Sequence, residues 1–166
     1  MTSHEQRTRQ VLLAAVALLS LLLLLACDLP GSSAVNDLQQ YISDMREPLA
    51  RFSRWSSDLA QFQRDAREGD LKEVACASGR LEALIAEGTS VVAQLRAVQA
   101  PSVIASAHSG VADAGQRLVD KLLDVRTLVC ERGDVAAARS ALDEVDVIMD
   151  DLGEWLGKLS TWLKQR

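Results

Sequence analysis

From residue 38 onward, apolar side chains recur along the chain at spacings of three, four and seven. Leu38, Ile42, Met45, Leu49, Phe52, Leu59 and Phe62 form one such stripe, the pattern of a helix with one buried face. A second stripe runs through Leu71, Val74, Leu81, Ile85, Val92 and Leu95, and a third through Ile104, Val111, Leu118, Leu122, Val125 and Val129. The fourth comprises Leu142, Val145, Met149, Leu152, Leu156, Leu159 and Leu163. No stretch alternates in the manner of a strand, so the pattern predicts an all-α domain.

Punctuation between the stripes is sparse and sharp. Asn36 with Gln39 offers a capping pair for a first helix over 36–68. Pro48 lies inside that stripe and predicts a kink or break near Arg46 or Glu47, because an interior proline costs about 3 kcal/mol. Gly69-Asp70 reads as a left-handed stop followed by a capped start, with Glu73 completing a capping box. A second helix is expected over 70–99, ending where Ala100 precedes Pro101. Pro101 suits the first turn of a third helix over 101–132. Gly133-Asp134 repeats the stop-start signal before a fourth helix over 134–164. "REGDLKEVA" at 67–75 and "ERGDVAAAR" at 131–139 thus share one turn, either a duplicated hairpin or two solutions to one capping problem. Four long segments with short connections predict an up-down-up-down antiparallel four-helix bundle, about 45 Å long.

Ahead of this domain the pattern changes. Residues 1–10 are polar and carry Arg7 and Arg9, and residues 11–26 contain no charge. A basic start, an apolar run and a small residue at its end describe an export signal. Sixteen helical residues rise about 24 Å, short of a hydrocarbon core of roughly 30 Å. The run ends in Leu24-Leu25-Ala26-Cys27. This stretch resembles the lipobox of bacterial lipoproteins, with leucine three residues before the cysteine and a small residue just before it. Leu25 departs from the commoner alanine or serine. The resemblance implies a signal peptide over 1–26, cleavage after Ala26, and a palmitate-type acylation at Cys27. It further implies a lipidated tether over 27–34 and an exported domain over 35–166. Asp28 follows the cysteine, which in enterobacterial lipoproteins marks retention at the outer face of the cytoplasmic membrane. The alternative is an uncleaved signal anchor, which also leaves the domain outside the cytoplasm.

Composition narrows the partners. Residues 1–26 hold two of the 18 basic and one of the 23 acidic side chains, leaving 16 and 22, a formal charge of −6. Nucleic-acid binding wants a concentrated basic face and is not expected. The partner expected is the membrane, through the lipid anchor, together with an unidentified protein of the cell envelope.

Cys76 and Cys130 are the cysteines beyond Cys27, and in an oxidising compartment they read as a disulfide. In a bundle both stand near the end that carries the 69–70 and 133–134 turns. On a simple helical wheel, however, each falls off its apolar stripe, so height favours the pair while phase does not.

Candidate chemistry is thin. His108 is the one histidine of the exported domain, and Glu-x-x-His metal spacing does not occur. Met45 and His108 stand at similar heights on helices one and three, the residue types of a haem axial pair. Against that, Met45 fits the core stripe and His108 reads as a surface residue. Asp143, Asp146 and Asp150 share one face of helix four, a solvated face before it is a cation site. Without a nucleophile or base beside them these carboxylates make no reaction, so the domain is read as non-enzymatic, with no catalytic residue, metal or cofactor. The C-terminal "EWLGKLSTWLKQR" supplies the surface candidate. Trp155, Lys158, Trp162 and Lys164 would meet headgroups or a partner near the anchored terminus, unless both tryptophans pack inward with Trp55. Gly79, Gly88, Gly110 and Gly115 permit close helix approach or leave gaps for a partner to fill. The reading is a tethered binding, accessory or envelope-structural module; the alternative is a small-ligand or haem-binding sensor or electron-transfer bundle.

Overall fold

The structure is a computed structural model that describes residues 33–164, with side chains described over 36–161. Among the described residues every element is helical and none is a strand. Four long helices follow in order: α1 (Ser33–Glu68), α2 (Arg80–Ala97), α3 (Ala105–Arg126) and α4 (Val135–Lys164). Two π-helical turns are interposed, Glu73–Ala77 before α2 and Thr127–Glu131 directly after α3. No described helix is long and apolar enough to cross a membrane.

Most residues of the four stripes are buried; Leu38 and Val74 are partly so, and the Leu163 side chain lies outside the described residues. Met45, Phe52, Leu59 and Phe62 of α1 meet Leu81, Val92 and Leu95 of α2, Leu118 and Leu122 of α3, and Leu142, Val145 and Leu152 of α4 in one cluster. Each fully buried leucine or phenylalanine stabilises the fold by about 1.5–3 kcal/mol.

Where the boundaries differ from expectation, the reasons are local. Helix is already established at Ser33, so Asn36 lies inside α1 and opens nothing. The break expected near Arg46 or Glu47 is absent, and α1 stays helical through Pro48. Leu49, Phe52 and Trp55 are buried just beyond the proline, and packing of an apolar face outweighs the local penalty. Pro101 does not open α3. It heads a tight turn in which Ile104 N donates to Pro101 O at 3.0 Å, and helix begins at Ala105.

Asp70 and Asp134 both cap as predicted: Asp70 Oδ1 accepts from Lys72 N at 2.8 Å, and Asp134 Oδ1 from Ala137 N at 3.0 Å. Gly69, however, has no positive φ. The end of α1 is finished instead by Arg139 of α4, whose guanidinium donates to Ala66 O at 3.2 Å and Gly69 O at 3.3 Å. Among the described residues the left-handed glycines are Gly79 (φ 69°) and Gly133 (φ 70°). Gly79 splits the expected 70–99 helix into a short capped segment and α2.

Three glycines are places of close approach. A Cβ at Gly88 would stand 2.5 Å from Cζ2 of Trp55, whose Nε1–H donates to Leu84 O at 2.8 Å. One at Gly115 would stand 2.9 Å from Val92 Cγ2, and one at Gly110 would overlap the Trp155 ring. The space these glycines open is therefore occupied from within the chain. Gly157, in contrast, has nothing within 4 Å of such an atom. Gly110→Ala is expected to lower unfolding stability by about 1–3 kcal/mol through overpacking. Gly157→Ala is expected to leave it unchanged or raise it by up to about 1 kcal/mol through helix propensity. Urea titration of the two variants side by side checks both signs.

Candidate functional site

The cysteines meet. Cys76 and Cys130 form a disulfide with Sγ atoms 2.01 Å and Cα atoms 5.7 Å apart. Both thiols that a simple wheel leaves off the stripe sit at the fourth position of a π-turn. A π-turn takes in one residue more than an α-turn, so positions inside it lag a regular wheel. The i→i+5 bonds are made by Ser78 N to Glu73 O at 3.3 Å and by Arg132 N to Thr127 O at 3.1 Å. Each turn then leaves through a left-handed glycine three residues after its cysteine. The recurring unit is therefore Cys-x-x-Gly, at 76–79 and 130–133. It recurs alongside the Gly-Asp pair, whose aspartates Asp70 and Asp134 both cap.

At the other end of the helices a polar contact lies in the core. His108 is 7% exposed and so is not a surface residue. Its Nδ1 stands 3.1 Å from the Tyr41 hydroxyl, with the rings edge to face at 5.7 Å. Burial lowers the His108 pKa from its ordinary 6.5, opposed by a hydrogen bond to the Leu95 backbone. Burial likewise pushes the Tyr41 phenol up. A neutral imidazole protonated on Nε2 accepts from Tyr41 O–H on Nδ1. One ring thus ties α3 to α1 and α2. Met45 is fully buried among apolar residues, and the imidazole is engaged by protein groups. Tyr41 was missed in the sequence, although the spacing Tyr41, Met45, Phe52, Trp55 places it on the stripe. The spacing Ile104, His108, Val111 does the same for the histidine.

The acidic face of α4 is partly a helix contact. Gln63 Nε2 donates to Asp146 Oδ1 at 2.9 Å, and Arg67 pairs with the same carboxylate and lies 3.8 Å from Asp143. Among the described residues no cluster of three or more histidine, cysteine or acidic side chains has metal-holding geometry. Trp155 is half-buried against Gly110, with Lys158 Nζ 4.0 Å from its ring centroid and 2.8 Å from Glu154. Cys27 lies outside the described residues, as do the side chains of Trp162 and Lys164.

With this geometry in hand, comparison with known proteins finds no matching family model, no matching curated protein and no matching solved structure.

Two outcomes follow. Replacing both cysteines, Cys76→Ala with Cys130→Ala, removes a cross-link spanning 54 residues. The loss expected in urea unfolding is about 4 kcal/mol, with reductant having no further effect on the double variant. The second outcome concerns pH. The unfolded chain protonates His108 near 6.5 and the folded chain only at lower pH. Stability is therefore whole above pH 6.5 and falls as the pH drops through and below it. Asp65, held below its ordinary 3.8 chiefly by its hydrogen bond from Arg80, adds a separate loss as the pH drops below that value. Thermal melts of His108→Gln against the parent should show the first loss disappear and the second remain.

Proposed function

We propose that the chain is a bacterial lipoprotein, cleaved after Ala26, acylated at Cys27 and held at the outer face of the cytoplasmic membrane. The observation that carries this reading is Leu24-Leu25-Ala26-Cys27 at the end of an uncharged run behind Arg7 and Arg9. The Cys76–Cys130 disulfide supports it, since such bonds persist in oxidising compartments outside the cytoplasm. Two or three acyl chains, at about 0.8 kcal/mol per buried CH₂, suffice for a stable anchor.

The exported part is an up-down-up-down antiparallel four-helix bundle, with α1 bent at Pro48. Cross-helix pairs support this arrangement, because numbers rise along one helix as they fall along its neighbour. Arg51–Glu87 and Asp65–Arg80 join α1 to α2; Arg96–Asp113 and Glu82–Arg126 join α2 to α3. Arg117–Asp151 and Lys121–Glu144 join α3 to α4, and Gln63–Asp146 and Arg139–Ala66 join α4 back to α1. The bundle acts by contact, as a non-enzymatic binding, accessory or envelope-structural module.

The test is lipidation itself. Cells fed labelled palmitate should incorporate it into the parent protein and not into Cys27→Ser, which should also keep its signal uncleaved. A parent that takes up no label, together with unchanged processing and membrane fractionation in Cys27→Ser, would overturn the reading.

A further inference from the structure

The contacts sort the chain into two ends of unlike character. Tyr41 meets His108, His108 bonds the Leu95 backbone, and Trp155 covers Gly110. These contacts put the start of α1, the α2–α3 connection and the last turns of α4 together. At 1.5 Å per residue, Ser33 lies about 12 Å beyond Tyr41, and α4 runs about 13 Å beyond Trp155. Cys27 precedes Ser33 by six residues, a contour of about 20 Å at most.

Asp37 of α1 and Glu154, Lys158 and Lys164 of α4 flank this end, while the connection between α2 and α3 carries no charge. Between Arg96 and Asp113 the chain reads "AVQAPSVIASAHSGVA", sixteen residues without a lysine, arginine, aspartate or glutamate. It is the longest such run among the described residues, and its one titratable side chain, His108, is buried. The turns at the opposite end, "REGDLKE" and "ERGD", are dense in charge. At the tip of the uncharged connection Val103 is 61% exposed. A single exposed valine is ordinary on a protein surface. Here it stands in a charge-free turn headed by Pro101, at the end of the domain from which the anchored residue is reached.

We propose that the α2–α3 connection, with Val103 at its tip, is a second membrane contact that rests in the headgroup region beside the lipid anchor. The occupant of this surface is the bilayer, and the inference rests on the lipoprotein reading above. An anchor on a short tether holds the loop close to the interface, where burying one apolar side chain costs no desolvation of charge. The contact orients the domain upright, with the disulfide-bearing turns pointing away from the membrane.

The experiment uses the full lipidated protein in vesicles of phosphatidylethanolamine and phosphatidylglycerol. An environment-sensitive fluorophore is attached at Val103→Cys or, as a far-end control, at Ala136→Cys. Quenching by bilayer-borne quencher should be several-fold greater at 103 than at 136, with a blue shift at 103 alone. With the label at Ser102→Cys, adding Val103→Asp should return its emission toward the aqueous value. A protein that floats with the vesicles while the probes at 103 and 136 are quenched alike overturns the loop contact and leaves the lipid anchor standing. A protein that carries no acyl chain and does not float overturns both.

Discussion

A helix turning about 100° per residue keeps one stripe of side chains buried, and any residue off that stripe faces away unless the winding changes. Among the described residues the winding changes twice. Each π-turn takes in an additional residue, and each brings a cysteine to the place where the other helix can be reached. The left-handed glycines at 79 and 133 then turn the chain immediately, so the shifted phase is not carried into the next helix. Val125 and Val129 of the third stripe remain buried on either side of the shift. The cross-link and the core are thus satisfied by the same local device, used once on each side of the disulfide.

Close approach is the second requirement, and glycine and tryptophan meet it together. Trp55 lies against Gly88 with its indole N–H spent on a carbonyl of the helix it crosses, and Trp155 lies against Gly110. A large ring set over a residue without Cβ fills the space that the small residue opens, which keeps density high where two backbones come near. The surface pairs work differently. Exposed ion pairs contribute roughly 0–1 kcal/mol each, so Arg96–Asp113 and Arg117–Asp151 add little to stability. Their effect is on choice of neighbour, since a helix packed in a different place would set the acidic face of α4 against other carboxylates.

How far the sequence could be read divides along these lines. The stripes are legible because burial imposes a period, and the caps Asp70 and Asp134 because a carboxylate is chemically suited to free N–H groups. The π-turns are not legible, since nothing in "EVACASG" or "TLVCERG" contradicts an ordinary helix until the disulfide demands another phase. For that reason the two cysteines stood at the right height with the wrong orientation. Gly-Asp drew attention as the repeated turn because it is the commoner signal, while Cys-x-x-Gly carried the geometry. His108 was misplaced by its polarity: its spacing from Ile104 and Val111 marks a core position, but a histidine is buried only when a partner is present, and Tyr41 comes from another helix. Pro48 does not end α1, because the packing of Leu49, Phe52 and Trp55 outweighs its local penalty. Asp146 looked solvated because the residues that meet it, Gln63 and Arg67, lie some eighty positions away.

The two ends of the domain are held by opposite means, and this governs how it yields. Around the π-turns the helices share a covalent bond, two aspartate caps and the Arg139 guanidinium on the carbonyls of α1. Around Tyr41 and His108 they share apolar packing and neutral hydrogen bonds, which are strong only while the imidazole stays unprotonated. Local opening begins where the fewest constraints must be released at once. Here that is the end with the uncharged connection, because separating the helices at the other end requires breaking a bond between sulfur atoms. Acid acts on the same end, as a protonated His108 cannot accept from Tyr41. A domain built this way loosens at the Tyr41–His108 end while its far end stays clamped, so the four helices remain gathered and the loosened state retains most of its topology.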